Sequence, residues 1–342
     1  MKRIIPLCFA LVMTVGLLAG CGKQNERTAS DETRLRVVTT IFPEYDWVRE
    51  ILGDKADNAE VTMLLDNGAD LHSYQPTADD IVKISECDLF IYVGGESDDW
   101  VDDALKNAAN KNMKVINLLE ALGERVKTEE VVEGMQEEEH DHDHDHEDAD
   151  EHEDAKEHDH EEEAEYDEHI WLSLKNAQTL CSAISSVLQQ IDPDNKDTYA
   201  ANASAYIKKL SALDADYQAA VDAAACKTVL FGDRFPFRYL ADDYGLRYYA
   251  AFAGCSAESE ASFETISFLA GKVDELNLPC VLTIEGVQHK IAETIVRNTA
   301  AKNQKVLTMD SMQSTTSKDA ANGTTYLSVM ERNLSVLKEA LG

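Results

Sequence analysis

The stretch LRVVTTIFPEYDWVREILGDKADNAEVTMLL, residues 35–65, combines two kinds of pattern. Its first part, LRVVTTIF, and its last part, EVTMLL, are short runs rich in β-branched residues, which is typical of strands. The segment EYDWVREILG between them has the apolar spacing of an amphipathic helix. A strand, a helix and a second strand in this order predict a βαβ unit, in which both strands lie parallel in one sheet.

The same alternation continues along the chain and returns near its end. Helical patterns such as TADDIVKISE and DDWVDDALKNAAN separate the later strands of the first half, and a final helix is predicted from about Thr324 to Leu341. We therefore predict an α/β fold with two parallel-sheet lobes, residues 35–190 and 226–342. The further predicted strands are DLFIYVG (88–94), KVINL (114–118), KTVLFG (227–232), LRYYAAF (246–252), CVLTIE (280–285) and KVLTM (305–309).

Between the lobes lies DPDNKDTYAANASAYIKKLSALDADYQAAVDAAA, residues 192–225. Its apolar and aromatic residues recur at helical spacing, which predicts one buried stripe along a long helix. Asp192-Pro193 marks the start, and we expect residues 193–224 to link the lobes as a rod of roughly 45 Å that restrains large hinge motion. The stripe consists of Tyr199, Ala203, Tyr206, Leu210, Leu213, Tyr217 and Ala220.

The N-terminus predicts export. MKRIIPLCFALVMTVGLLAGC has a basic start, a short apolar stretch and small residues before Cys21, which is typical of a signal peptide over residues 1–20. It resembles a bacterial lipoprotein signal, in which Cys21 becomes the lipidated first residue; the alternative is an ordinary cleaved signal with an incidental cysteine. Residues 21–34 would be a polar tether. We therefore expect an extracytoplasmic protein, anchored by lipid to the bacterial cell membrane, with no spanning helix after the signal.

Residues 128–166 form an acidic insert in a chain whose formal net charge is −34. From Glu137 to Glu168 there are 20 Asp and Glu, one Lys and seven His, and no large aliphatic side chain. We predict a disordered loop, because such a segment cannot bury enough apolar surface to offset its ordering entropy. The acidity excludes nucleic acid as a partner and suits a cation.

The insert is either an inert acidic spacer or an auxiliary metal-binding tract. We favour weak, exchangeable metal binding, because imidazole is a common ligand for zinc and a spacer does not need it. The histidines concerned are His140, His142, His144, His146, His152, His158 and His160.

Three histidines lie outside the insert. His72 follows a predicted strand in LLDNGADLHSYQPTADD, and His169 lies in YDEHIWLS, where the insert ends. Ligands of open parallel sheets bind beyond the carboxyl ends of the strands, which is the position that His72 occupies. His289 begins a helical pattern and is interpreted as a solvated or capping residue.

DNGADLHSYQPTADDI, the insert followed by DEHIWLSLKNAQ, the long helix and YLADDYGL together resemble the metal-binding lipoproteins that deliver Zn or Mn to ABC importers. The resemblance runs from about residue 35 to the C-terminus. It implies two α/β lobes with one metal ion between them, an ABC permease as partner, a monomeric receptor and no enzymatic activity. The ligands that it implies are His72, His169 and Asp310.

The third ligand of that family, a His or Glu, falls on Arg234 here. Arginine offers no lone pair and cannot bind a metal ion. Either Asp233 or Glu285, each at the end of a predicted strand, replaces the ligand while Arg234 orients a carboxylate, or the site has three ligands and water, or it is no longer a tight site. Further acids that remain open are Glu258 and Glu260.

Mixed His and carboxylate ligation favours Zn²⁺, with Mn²⁺ as the alternative. The leading hypothesis is a zinc receptor. A surface zinc buffer or adhesin with a degenerate cleft is a second reading, and a zinc hydrolase is a third, although no HExxH or similar motif is present.

Five cysteines follow Cys21, so at least one must stay free. Most are interpreted as small buried hydrophobic residues, and a disulfide between Cys226 and Cys280 remains open. The other three are Cys87, Cys181 and Cys255.

Deletion of Glu137–Tyr166 distinguishes the zinc-receptor hypothesis from the zinc-buffer hypothesis. In a receptor, calorimetry of the shortened, metal-stripped protein should still show one tight zinc site, because that site lies outside the insert. Loss of nearly all zinc binding would favour the buffer.

Overall fold

Two four-stranded parallel sheets organise the computed structural model, which describes residues 34–136, 165–256, 260–286 and 289–342. In the first sheet the order is β2-β1-β3-β4, and in the second it is β6-β5-β7-β8. All the pairs between named strands are parallel. The strands are β1 Leu35–Thr39, β2 Ala59–Met63, β3 Leu89–Tyr92, β4 Lys114–Asn117, β5 Thr228–Arg234, β6 Arg247–Phe252, β7 Cys280–Thr283 and β8 Lys305–Thr308.

The eight predicted strands are therefore confirmed, and so is the fold class of two parallel-sheet α/β lobes. Both sheets share one strand order, with the chain reversing direction across the sheet after the second strand. The carboxyl ends of the strands on either side of such a reversal form a crevice. Here these strands are β1 and β3 in the first sheet and β5 and β7 in the second. Because all the strands are parallel, the loops that follow β2 and β6 also begin at this edge.

The described helices alternate with these strands. None of them is long and apolar enough to cross a membrane. They are α1 Phe42–Leu52, α2 Ala78–Glu86, α3 Val101–Lys106, α4 Leu118–Leu122, α5 Leu174–Ile191, α6 Lys196–Ala223, α7 Arg238–Tyr244, α8 Phe263–Leu276, α9 Lys290–Asn298, α10 Ser317–Ala321 and α11 Tyr326–Leu341.

The long helix α6 begins at Lys196 rather than at the predicted residue 193, because Pro193–Asn195 form a separate 3₁₀ turn. Six of the seven predicted stripe residues are buried, and Val221 takes the buried position expected for Ala220. The helix packs against α1, α5, α7 and α11. Asn202 Nδ2 donates to Ile51 O at 3.0 Å, and Tyr217 Oη donates to Met330 O at 2.7 Å. One helix is thus bonded to α1 of the first lobe and α11 of the second.

Several predictions fall on parts of the chain outside the described residues. These parts include the signal peptide, Cys21, nearly all of the tether, Glu258 and the seven insert histidines. Of the insert, residues 128–136 and 165–166 are described, and its two ends, Thr128 and Tyr166, form an antiparallel bridge.

The disulfide between Cys226 and Cys280 is not formed. Both residues are free, as are Cys87, Cys181 and Cys255. Cys87, Cys181 and Cys280 are buried, as expected for small apolar residues, whereas Cys226 and Cys255 are half-buried.

Asp46 joins α1 to the start of α11. Its Oδ2 accepts a hydrogen bond from Tyr326 N at 2.9 Å, and burial raises the pKa of Asp46 to about 7. The folded protein therefore keeps a proton that the unfolded chain loses near pH 4. The contribution of Asp46 to the free energy of unfolding should fall as pH rises from about 4 to about 7.

Asp46→Asn keeps an acceptor for Tyr326 N but has no proton to lose. We expect the variant to exceed the parent in free energy of unfolding by about 1–3 kcal/mol at pH 8, and by much less at pH 4. Urea unfolding of the zinc-free proteins measures this difference. Asp54→Asn, at an exposed position, is the control, and an equal difference for Asp46→Asn at both pH values would contradict the assignment.

Candidate metal centre

Two imidazoles converge where the carboxyl ends of the strands meet. His72 lies in a 3₁₀ turn after β2, and His169 directly precedes the 3₁₀ turn Ile170–Leu172. Their Nε2 atoms are 3.2 Å apart, although the residues are 97 positions apart in the chain. Two nitrogens that bind one tetrahedral Zn²⁺ at about 2.0–2.1 Å each lie about 3.3–3.4 Å apart. The observed spacing therefore fits two ligands of a single ion.

A buried carboxylate sets the tautomer of His169. The Nδ1 of His169 lies 3.0 Å from Asp167 Oδ1, which also accepts from His169 N at 2.9 Å. His169 is fully buried and Asp167 is 1 % exposed. An ionised carboxylate only accepts hydrogen bonds, so Nδ1 carries the proton and Nε2 presents its lone pair.

A second buried acid lies beside the outer nitrogen of His72. Its Nδ1 lies 2.9 Å from Ser97 Oγ and 3.4 Å from Glu168 Oε2, while Glu168 Oε1 accepts from Ser97 N at 2.9 Å. Burial opposes ionisation of Glu168, but the contacts with His72 and Ser97 outweigh it and hold the pKa of Glu168 below its ordinary value. Glu168 is therefore a carboxylate. A proton on His72 Nδ1 would face this carboxylate and Ser97 Oγ, which favours the tautomer whose Nε2 carries the lone pair.

Gly95 makes room for this carboxylate. The residue has φ +82°, and a Cβ there would lie 2.3 Å from Glu168 Oε1. A side chain at position 95 would thus both strain the backbone and displace Glu168.

The two Nε2 lone pairs consequently face each other across 3.2 Å. Two acceptors at that distance repel unless a cation or a shared proton lies between them. The pair is therefore arranged to receive a positive charge.

Cys255 brings a third ligand atom to this pair. One ligand atom from each of His72, His169 and Cys255 lies within 4.8 Å of the others. Cys255 follows β6, and its N donates to Glu129 Oε1 at 2.8 Å. Burial, followed by the charge of Glu129, raises the pKa of the Cys255 thiol. No ligand role was predicted for Cys255; its position just after a predicted strand is the one sequence signal that points to it.

Arg234, at the position of the family's third ligand, is paired with Asp70. Its Nη2 lies 2.5 Å from Asp70 Oδ2. Burial opposes ionisation of Asp70, but the hydrogen bond and charge of Arg234 lower its pKa. With its amide nitrogen turned to Asp70, Gln313 donates to both carboxylate oxygens at 3.1 and 3.3 Å. In this orientation the amide oxygen of Gln313 lies 3.4 Å from His169 Nε2.

The three predicted carboxylate ligands are not part of the cluster formed by the histidines and Cys255. Asp233 Oδ2 accepts from Thr283 Oγ1 at 2.6 Å and from Ile284 N at 3.3 Å, so Asp233 instead holds the end of β7. The turn after β8 engages the other two, Glu285 and Asp310.

Glu285 accepts from Ser311 N, Ser311 Oγ and Gln313 N at 2.6, 2.7 and 3.0 Å. Burial and then the charge of Asp310 raise the pKa of Glu285. Asp310 accepts from Met312 N at 2.8 Å and lies 3.8 Å from Arg332. Both acids thus shape the turn that carries Gln313.

The remaining candidates lie apart from the pair. Glu260 is exposed. His289 is at the N-terminus of α9 without a side-chain cap, and its Nδ1 lies 3.1 Å from Thr283 Oγ1.

A cavity of about 830 Å³ lies beyond the ends of β3 and β4, and neither histidine of the pair lines it. Gly95 and Asp98 line it, and so does Tyr166, which lies at the end of the insert. Burial raises the pKa of Asp98 to about 7. Six acids line this cavity and make it attractive to cations; they are Glu96, Asp98, Asp99, Asp102, Glu120 and Glu124.

Two parallel-sheet lobes, one helix bonded to both, and a pair of imidazoles at the strand ends, one half-buried and one buried, define a two-lobed α/β binding protein with a metal centre. A family model described as zinc-uptake complex component A, periplasmic (ZnuA), matches residues 37–340. The chain belongs to this family.

Individual relatives agree with this membership. The zinc-binding lipoprotein AdcA of Streptococcus pneumoniae is 32% identical over 99% of this chain, which spans 61% of the length of that protein. The high-affinity zinc uptake system protein ZnuA of Bacillus subtilis is 31% identical, with 99% of this chain and 96% of that protein covered. The crystal structure of the Zn(II)-bound ZnuA-like domain of S. pneumoniae AdcA matches with a TM-score of 0.66 and 28% identity, over 90% of this chain and 99% of that one.

Asp167→Asn tests the outer partner of His169. The amide keeps the shape and one acceptor of Asp167 but loses the charge that makes His169 a stronger donor to a metal ion. We expect the affinity for Zn²⁺ to fall by about 10–100-fold, as measured by competition with a chelator. The control is Glu165→Gln, at an exposed position two residues away, and this variant should bind Zn²⁺ as tightly as the parent. An unchanged affinity of Asp167→Asn would contradict the role assigned to Asp167.

Proposed function

We propose that this protein is an extracytoplasmic zinc receptor that binds one Zn²⁺ between its lobes and delivers it to the permease of an ABC importer. The observation that carries the proposal is the 3.2 Å separation of the His72 and His169 Nε2 atoms, with each imidazole held by a buried carboxylate. Zinc-binding and zinc-uptake names among the relatives support the same cargo.

Zinc suits the centre better than manganese. The two imidazole ligands are nitrogen donors, and the carboxylates predicted as further ligands are bonded to backbone and hydroxyl groups instead. Mn²⁺ prefers oxygen ligands, and at a site rich in nitrogen Zn²⁺ binds more tightly.

A receptor fits the surroundings of the pair better than a zinc hydrolase does. A hydrolase needs a placed general base beside its zinc-bound water. The acids next to the imidazoles are Asp167 and Glu168, and both face Nδ1 atoms on the outer side of the rings. They orient ligands and are not placed to take a proton from water at the ion.

The insert and the lipid anchor complete the proposal. The described residues resume at Glu165, four residues before His169. The histidines of the insert would raise the local concentration of zinc. Lipidation at Cys21 would keep the receptor at the membrane, where a single bound ion passes to the permease.

His72→Ala and His169→Ala test the cargo site. Each variant should lose the single tight zinc site in calorimetry, because one imidazole with its outer carboxylate cannot hold the ion alone. Deletion of residues 137–164 from every protein removes the insert histidines and, unlike the longer deletion, keeps the bridge between Thr128 and Tyr166.

His289→Ala is the matched control, since His289 is a half-buried histidine outside the cluster. It should retain the tight site. Tight binding that persists in both His72→Ala and His169→Ala would refute the proposed centre.

A further inference from the structure

Backbone contacts position Cys255 beside the imidazole pair. The Cys255 N–H donates to Glu129 Oε1 at 2.8 Å, which fixes the chain just beyond β6. The preceding residue is Gly254, where a Cβ would lie 3.2 Å from the His169 ring and 3.0 Å from Phe235 O. A residue without a side chain at position 254 thus lets this segment approach His169.

The spacing suits coordination after a small movement. The three ligand atoms lie within 4.8 Å of one another. Around a tetrahedral zinc ion with Zn–N near 2.0–2.1 Å and Zn–S near 2.3 Å, a nitrogen and a sulfur lie about 3.5–3.6 Å apart. The limit of 4.8 Å exceeds this distance by about 1.2 Å, so Sγ needs to approach the imidazoles by no more than about that much for all three atoms to bind one ion.

Other groups near the pair are engaged elsewhere. Arg234 is paired with Asp70 and has no lone pair, and Glu285 accepts three hydrogen bonds from the turn at Ser311–Gln313. Asp233 accepts from Thr283 and Ile284. Among the described residues, Cys255 is the one that joins the two histidines in a cluster of His, Cys, Asp and Glu groups.

We propose that Cys255 is the third ligand of the centre, so that zinc is bound by two imidazoles and one thiolate. This inference rests on the proposed function. When Zn²⁺ binds, a zinc–sulfur bond forms, the S–H bond breaks and the proton passes to solvent, with no change of oxidation state. The thiolate takes the place of the ligand that Arg234 cannot supply.

A thiolate ligand also makes the centre more selective for zinc over manganese. Soft sulfur ligands select zinc, whereas manganese prefers carboxylate, carbonyl and water oxygens. A set of two histidines and one cysteine therefore excludes Mn²⁺ more strongly than the two histidines and two carboxylates implied by the sequence.

Cobalt substitution of the full mature chain tests the thiolate. The metal-stripped protein, kept reduced, is titrated with Co²⁺, and the parent should show an intense sulfur-to-cobalt charge-transfer absorption in the near ultraviolet at one equivalent. The insert contains no cysteine, so it cannot produce this absorption. X-ray absorption of the zinc form should show one sulfur at about 2.3 Å.

Cys255→Ser should lose the charge-transfer absorption, and its affinity for Zn²⁺ should fall by at least about 10–100-fold, the range found for weaker outer-shell changes. Cys226→Ser is the control. Cys226 is also a half-buried free cysteine, but it precedes β5 and so lies at the amino ends of the strands, away from their carboxyl ends. This variant should keep both properties.

The outcomes separate this inference from the proposed function. A parent that binds one zinc ion tightly but shows no sulfur in either spectrum overturns the role of Cys255 and leaves the receptor standing. A parent without a saturable zinc site overturns both. If Cys255→Ser fails to fold, as judged by circular dichroism, the spectra of the parent decide the matter alone.

Discussion

The structure depends on two imidazole lone pairs that are held face to face, 3.2 Å apart. Burying Asp167 and Glu168 costs solvation free energy, which is offset only because each acid accepts hydrogen bonds from backbone and has an imidazole beside it. The arrangement is thus favourable as a whole when a cation lies between the rings. Without one, the lone pairs repel, and buried carboxylates orient rings that have nothing to bind.

The frame around this pair resists rearrangement. Tyr239 Oη donates to Asp167 O at 2.9 Å, and Trp171 Nε1 donates to Ser311 O at 2.8 Å. Tyr326 Oη donates to Trp171 O at 2.6 Å. The segment around His169 is therefore bonded to the second lobe on three sides, while α6 is bonded to both lobes. Release of the ion is consequently more easily achieved by local movement of a ligand loop than by rotation of whole lobes.

Periodicity was sufficient to predict the strands, the long helix and its buried stripe, because burial on one face imposes a repeat that the sequence must carry. The convergence of His72 and His169 followed from resemblance to a family, since no local pattern brings residues 97 positions apart together. Cys255 escaped prediction for a related reason. Its neighbourhood depends on which strand ends meet across the lobes, and a single cysteine after a strand looks the same whether it faces a core or a metal ion.

The pairing of Arg234 with Asp70 shows how a cation can remain beside a metal centre. A free guanidinium near a divalent ion would weaken binding by charge repulsion. Asp70 cancels that charge, and its backbone neighbour His72 donates N–H to Asp70 Oδ1 at 3.0 Å, so one carboxylate links the arginine to the ligand turn. Loss of a ligand at position 234 is then compensated twice, by neutralisation of the new charge and by a thiolate from another strand end. A site can thus exchange a ligand at one strand end for a ligand at another, provided that the charge brought in by the replacing residue is neutralised.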